Sequence, residues 1–331
     1  MRLRLAALAL ATLQQVATPR SLGAQLDTMV VTLLGTGTPN PRLAHLGPST
    51  LVEAGGLRLL FDVGRGTTIR LEQLGVRTAT VSAVFFTHLH SDHTNGLPDL
   101  WLTGWLPPFG ARATALRLYG PIGVARLVRG LEQAFGDDIR IRSATEKLPV
   151  SGVALEPHEF SSDTVVFESN GVRVSTFLVN HTNDSISLSV GYRVDFRGRS
   201  VVVSGDTRYS PNLIAHSRGV DVLVHEVSMA PESMQSIPAI RTIMNGHIQP
   251  VDLARVFTQA QPKLGVLTHF AIPPNRNGPD LTPADAVAGI HLGYAGRVEA
   301  GEDLMQIVIG DSIRIVRTPA NVGPSPTRRV P

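Results

Sequence analysis

Between Thr87 and His93 the chain reads T-H-L-H-S-D-H, placing His88, His90, Asp92 and His93 within six consecutive positions. The apolar run Val81, Ala83, Val84, Phe85, Phe86 precedes them and reads as a buried strand. Side chains alternate along an extended chain, so His88 and His90 point the same way, and a following turn can bring Asp92 and His93 round to a second point. Imidazole suits zinc, iron and copper, while a carboxylate adds charge and can orient a bound water. There is no cysteine. Thiolate ligands, a cysteine nucleophile and disulfides are therefore excluded, and a histidine–carboxylate site favours hydrolytic over structural use of a metal.

Three later segments end an apolar run on a metal-capable residue. His181 follows Val172–Val179, Asp206 follows Val201-Val202-Val203-Ser204-Gly205, and His269 follows Leu264–Thr268. Each alone is weak, because a single strand-end histidine is more often an ordinary core or surface residue. Their order after the H-x-H-x-D-H cluster carries the argument.

The elements that would position these residues alternate between short β-rich runs and helical stretches. Strands are expected at Met29–Leu34, Thr50–Glu53, Leu57–Phe61, Leu116–Tyr119, Val172–Val179, Ile186–Val194, Ser200–Ser204, Val220–His225, Leu264–Thr268, Leu304–Ile309 and Ile313–Val316. Helices are expected over Gly64–Leu74, Leu97–Leu102, Val124–Phe135, Pro250–Gln259 and Pro283–Leu292, each with apolar residues at helical spacing. The 331 residues suffice for one deep core, and 43% hydrophobic against 17% charged residues places the chain among globular proteins. The pattern predicts an α/β chain, two β-rich layers covered by helices, over residues 28–317.

These motifs resemble those of the metallo-β-lactamase superfamily, across nearly all of residues 28–316. Leu34-Gly35-Thr36-Gly37-Thr38-Pro39, Leu60-Phe61-Asp62-Val63-Gly64-Arg65-Gly66-Thr67, His225-Glu226, Gly246-His247 and Leu267-Thr268-His269-Phe270 look most like its tRNase Z and arylsulfatase-like branch. The resemblance implies a four-layer αβ/βα sandwich and two zinc ions, with iron or manganese as alternatives. His88, His90 and His181 would hold one, Asp92, His93 and His269 the other, and Asp206 would bridge them. Two such metals about 3.5–4 Å apart can share a hydroxide and clamp the charge that develops on the substrate. Asp92 could also orient that hydroxide. Asp62 would hydrogen-bond a ligand histidine, or else cap the next helix. Glu226 and His247 would act as a pair, with His247 protonating the leaving oxygen, or would serve only as caps. His225 reads as structural.

A bridging aspartate in this superfamily points to phosphodiesters, thioesters, lactones or aryl sulfates rather than to β-lactams. The tRNA enzymes carry a protruding basic arm, and no such segment is found here: Glu156 to Asn170 holds Glu156, Glu159, Asp163 and Glu168 without a Lys or Arg, and would repel phosphate. Arg65, Arg140 and Arg142 are candidate anion contacts, and Trp101, Trp105, Pro107, Pro108 and Phe109 either wall a substrate pocket or form a packed loop.

Residues 1–24 read as a secretory signal, with Arg2 and Arg4 before the apolar Leu5–Leu13 and small residues Gly23 and Ala24 before Gln25. Removing them lowers Lys+Arg from 30 to 27 against 27 Asp+Glu, so the formal charge falls from +3 to 0 and no global attraction to nucleic acid remains. The competing reading starts the protein at Met29 and keeps it in the cytoplasm. No apolar run is long enough to span a membrane, and residues 318–331 read as a disordered tail. The sequence thus predicts an exported, periplasmic or secreted dinuclear zinc hydrolase acting on a small phosphodiester or aryl sulfate, with nucleic acid disfavoured and a homodimer compatible. The alternatives are a tRNA 3′-processing endonuclease, a lactone or β-lactam hydrolase, and a metal-binding protein without activity.

Overall fold

The computed structural model describes residues 27–317 apart from 109, 182–185 and 276–277. The expected signal segment, the C-terminal tail and Phe109 lie outside the described residues. The first half runs β1 (Met29–Gly35), β2 (Ser49–Ala54), β3 (Leu57–Phe61), α1 (Thr67–Gln73), β4 (Ala83–Phe85), α2 (Ser91–Thr94), α3 (Leu97–Trp105), β5 (Leu116–Pro121), α4 (Val124–Ala134), α5 (Gly136–Thr145), α6 (Val150–Val153) and β6 (Leu155–Phe160). The second runs β7 (Thr164–Ser169), β8 (Val172–Val179), β9 (Ser189–Phe196), β10 (Arg199–Val203), α7 (Pro211–Ser217), β11 (Val222–Ser228), α8 (Pro238–Gly246), α9 (Pro250–Ala260), β12 (Leu264–Ala271), α10 (Pro283–His291), β13 (Val298–Ala300), β14 (Gln306–Ile309) and β15 (Ile313–Val316).

One sheet has the order β15-β14-β1-β2-β3-β4-β5-β6, the other β13-β12-β11-β10-β9-β8-β7. Each is antiparallel over one part and parallel over the other: β3 through β6 pair in parallel, as do β10 through β13. Parallel strands need crossovers, and the helices supply them, so both outer faces are covered. Alternation then gives each sheet one face toward the other sheet. Phe61, Phe85, Tyr192, Val201 and Val224 fill that central layer, with Phe61 and Phe85 stacked at 5.0 Å. Truncating Phe85 to Ala would cost about 3–5 kcal/mol through the lost burial and the cavity left behind. Leu71, Trp101 and Val128 seal the first sheet's outer face, and Leu253, Phe257 and Ile290 the second's. This is the expected four-layer αβ/βα sandwich.

Several elements were not foreseen, β13, α6 and α7 among them. β6 and β7 lie where only an acidic stretch was read, because β7 has the pattern of an exposed edge with few buried positions. α5 buries no side chain, so it carries no apolar stripe to read. α8 begins at Pro238 and buries only Ile240 and Met244. Trp101 and Trp105 do not wall a pocket: both are on the buried face of α3 and donate their indole N–H to the Val153 and Pro149 carbonyls. Arg140 and Arg142 are committed to Asp137, Asp138 and Glu146 along α5 and are ordinary surface pairs.

Candidate metal centre and catalytic site

All the candidate ligands collect at one end of the sandwich, where strands of both sheets terminate. β4 delivers the chain to Thr87, after which His88 lies outside any strand or helix and His90 is extended. The one-turn helix α2 then turns Asp92 and His93 back toward the same point. Across from them β8 leads to His181 and β10 to Asp206. His269 lies inside β12 at a register shift, where Thr268 pairs with Glu226 and Phe270 with Val227, leaving His269 bulged out of the ladder with φ 44°. A bulge of this kind re-aims one side chain without ending the strand. Gly205 (φ 60°) permits the close approach of the two sheets, since a Cβ there would lie 2.7 Å from that of Thr87.

Two triads result. The Nε2 of His88 lies 2.9 Å and that of His181 3.3 Å from His90 Nδ1. In the second triad Asp92 Oδ2 lies 3.3 Å from His269 Nε2 and 3.6 Å from His93 Nε2. Asp206 Oδ2 sits between them, 3.3 Å from His93, 3.4 Å from His269, 3.7 Å from His181 and 3.9 Å from His88. Each triad could hold a divalent cation, its donor atoms lying within 4.8 Å of one another. The donor chemistry fits that use. His93 Nε2 and Asp206 Oδ1 are buried without a hydrogen-bond partner, which in a packed interior calls for an ion or water.

The electrostatics run the same way. Burial, then the neighbouring His93, pushes His88 well below its ordinary range, and burial also lowers His90 and His181, leaving neutral rings with lone pairs to offer. Burial works to raise Asp206, but His269 and His93 outweigh it and hold the carboxyl well below its usual range. Burial likewise opposes the lowering of Asp92, which the His269 contact carries. His93 moves upward: burial lowers it, but Asp206 and Asp62 prevail, marking the point where positive charge is most favoured.

Groups behind the triads set the rings. Asp62, at the end of β3 with φ 59°, accepts from His93 Nδ1 at 2.8 Å and from the Thr87 amide and hydroxyl at 2.8 Å each. Its alternative as a helix cap is ruled out, because α1 starts at Thr67 with Gly66 as its cap. A carboxylate on the far nitrogen fixes the tautomer so that Nε2 faces the ion. His181 has a backbone counterpart: its Nδ1 donates to the Gly246 carbonyl at 2.7 Å, at the end of α8. That anchor was missed in the sequence, since a carbonyl leaves no residue-type signal.

Glu226 and His247 meet beside Asp206. Glu226, buried within β11, accepts at Oε1 from the Thr207 and Ile248 amides (3.1 and 3.2 Å), and His247 Nδ1 lies 3.2 Å from the same oxygen. Burial alone would lower His247, but Glu226 and then Asp206 raise it to about 9. His247 does not cap α9, whose N-cap is Gln249, whereas Glu226 does cap the loop amides of Thr207 and Ile248. His225 is fully buried and donates to the Glu226 carbonyl, as expected of a structural residue. His247 and His269 line a cavity of about 270 Å³ together with Gly37–Asn40, Arg42, His45, Ile243, Phe270–Pro273, Leu281 and Pro283.

A Beta-lactamase superfamily domain matches residues 58–270. A Ribonuclease Z of Mycobacterium marinum is 35% identical over 281 residues, covering 84% of this chain and 98% of that protein. One of Mycobacterium bovis is 34% identical over 286 residues, with the same coverage of each. Among solved structures, the metallo-β-lactamase fold protein YhfI of Bacillus subtilis aligns over 86% of this chain and all of its own at TM-score 0.65 and 17% identity. The short form of human tRNase Z aligns over 86% and 100% at TM-score 0.60 and 22% identity. With its two sheets, its cluster of imidazoles and carboxylates, and relatives matched along nearly their whole length, the chain belongs to the β-lactamase superfamily and is a metal-dependent hydrolase of the metallo-β-lactamase and tRNase Z branch.

Proposed function

We propose that the chain is a phosphodiesterase that cleaves RNA at a 3′ junction, in the manner of a tRNA 3′-processing endonuclease. The observation that carries this reading is His247, placed in the cavity wall beside Asp206 with its Nδ1 on Glu226. An alkoxide is a poor leaving group and needs a proton, whereas a nitrophenolate does not. The named activity of the curated relatives supports the same reading and favours the RNA alternative over the small-ester substrate expected from sequence.

In this proposal His88, His90 and His181 would hold one zinc and Asp92, His93 and His269 a second, with Asp206 between the two triads available to both. Bound there, the metals would supply an acidified water and neutralise charge on the phosphate. Asp92 would orient that water, and Asp62 and the Gly246 carbonyl keep His93 and His181 turned inward. Glu226 stabilises the imidazolium of His247 and fixes its orientation, so that Nε2 delivers the proton to the leaving oxygen.

The zinc-loaded protein should cut a pre-tRNA with a 3′ trailer at the mature end. His247→Ala should slow this about 10²–10⁴-fold while changing bis-p-nitrophenyl phosphate hydrolysis far less. An intact pre-tRNA beside efficient hydrolysis of bis-p-nitrophenyl phosphate or p-nitrophenyl sulfate would favour the second reading, an exported hydrolase of small esters. One observation speaks for that second reading: only Ser161-Ser162-Asp163 joins β6 to β7, and no basic arm occurs there among the described residues. Export goes with residues 1–24 being removed, and N-terminal sequencing of the mature protein decides it. None of the described helices is long and apolar enough to cross a membrane.

A further inference from the structure

The loop between β1 and β2 forms part of the cavity wall, and one of its side chains is held with more care than a surface loop requires. His45, half-buried, places Nδ1 2.8 Å from the Thr36 hydroxyl. That hydroxyl donates to Asp303 Oδ1 at 2.8 Å, and the Thr36 amide donates to the same oxygen at 2.9 Å. Asp303 Oδ2 accepts from the Leu46 amide (2.9 Å) and from Arg70 Nη2 and Nε (2.8 and 3.2 Å). Thr36, Arg70 and Asp303 are all buried. The ring of His45 also stands edge-on to Phe270, with centroids 6.0 Å apart.

This chain of bonds determines which nitrogen carries the proton. A carboxylate paired with a guanidinium offers acceptors only, so the single hydroxyl proton of Thr36 goes to Asp303. The hydroxyl oxygen therefore meets His45 with a lone pair, and Nδ1 donates. In the neutral ring Nε2 is then an acceptor, and among the described residues it has no protein partner.

Resting on the phosphodiesterase reading above, we propose that His45 is a specificity-determining residue for the leaving group, accepting a hydrogen bond at Nε2 from a hydroxyl adjacent to the scissile oxygen. His247 lines the same cavity, so the leaving alcohol enters it. Ile243, Phe270 and Ile272 give that alcohol an apolar surface, and His45 gives it one acceptor. A nucleoside has that combination: a flat base, and a 2′-hydroxyl beside the 3′-oxygen. The site should thus select ribose over deoxyribose at the nucleotide whose 3′-oxygen departs. A site built to bond a hydroxyl discriminates strongly against the analogue that lacks it, because its acceptor is then left unpaired.

The test uses the zinc-loaded full chain and two oligoribonucleotides that differ only in 2′-OH or 2′-H at that nucleotide. Wild type should prefer the ribo substrate by roughly 10–100-fold in kcat/KM. His45→Phe, which keeps an aromatic ring against Phe270, should bring the ratio to about 1, because the acceptor that reads the hydroxyl is gone. Thr36→Val, which frees the Nδ1 proton, should lower the ratio partway; unchanged melting temperatures would show that both variants are folded. Equal cleavage of the two oligonucleotides by wild type, or an unchanged ratio in His45→Phe, overturns the proposal while leaving the phosphodiesterase reading intact. If no phosphodiester is cleaved, that reading fails, and fluorescence anisotropy of the two oligonucleotides in chelator still decides on His45: tighter ribo binding lost in His45→Phe supports it, and equal binding overturns it.

Discussion

The two triads that face Asp206 differ in both charge and support. His88, His90 and His181 contain no carboxylate, and His90 is exposed. Asp92, His93 and His269 are all buried and include one carboxylate, with a second, Asp62, behind His93. The first triad is steadied chiefly by a backbone carbonyl, the second by an ionised side chain in a low-dielectric interior, where charge interactions are stronger. A divalent cation should therefore be held more tightly by the second triad, and the first should be the one through which metal and substrate exchange. One pocket can in this way combine a fixed charge with a replaceable one.

Asp206 is shared, so its loss should erase the distinction. Asp206→Asn is expected to lower kcat/KM by roughly 10³-fold, several kcal/mol of transition-state stabilisation, and elemental analysis should show metal reduced in both triads. Retention of full metal content and activity would remove Asp206 from its bridging role.

Asp62→Asn should act on one triad alone. The expected cost is about 10–100-fold in metal affinity, read by competition with a chromophoric chelator, with the weaker binding step unchanged. Equal weakening of both steps would show that the two are supported alike.

Stepwise removal of metal from the wild type gives a smaller contrast. Dialysis against increasing chelator should release metal in two stages separated by about tenfold or more in affinity, about 1.4 kcal/mol. A single stage would break the comparison.

The smallest effect is expected at the other support. Gly246→Ala leaves the carbonyl that holds His181 in place, and the added Cβ meets that ring at 3.7 Å, an ordinary contact. Metal affinity should stay within about threefold and stability within about 1 kcal/mol, the range of a Gly-to-Ala change in a helix. A large loss measured by chelator titration would mean that α8 itself, rather than the carbonyl, positions His181.

How much of this was legible varies with the kind of residue. His88, His90, Asp92 and His93 are close in sequence, so alternation and one turn suffice to place them. His181, Asp206 and His269 could be found because each ends or interrupts an apolar strand, a pattern that survives without coordinates. The Gly246 carbonyl could not be found, since every residue has one. Arg70, Asp303 and Thr36 could not be found either: Thr36 and Asp303 are separated by 267 positions, and no local pattern links them. Trp101 and Trp105 were open between two roles because apolar content near a metal motif does not say which face of a helix meets the core. β7 and α8 escaped because marginal elements are stabilised by what packs on them rather than by their own periodicity.

By itself the sequence indicated the layered α/β class and a set of histidine and aspartate candidates, because strand period, residue type and spacing are local properties; which of them would hold metal, and for what chemistry, came from the resemblance to a family. Tertiary structure alone decided which ring nitrogen faces the centre, which groups stand behind each triad, and which residues wall the cavity beside His247. Those depend on contacts between distant segments, whose geometry is set by the closing of two sheets on one core and not by any stretch of chain within it.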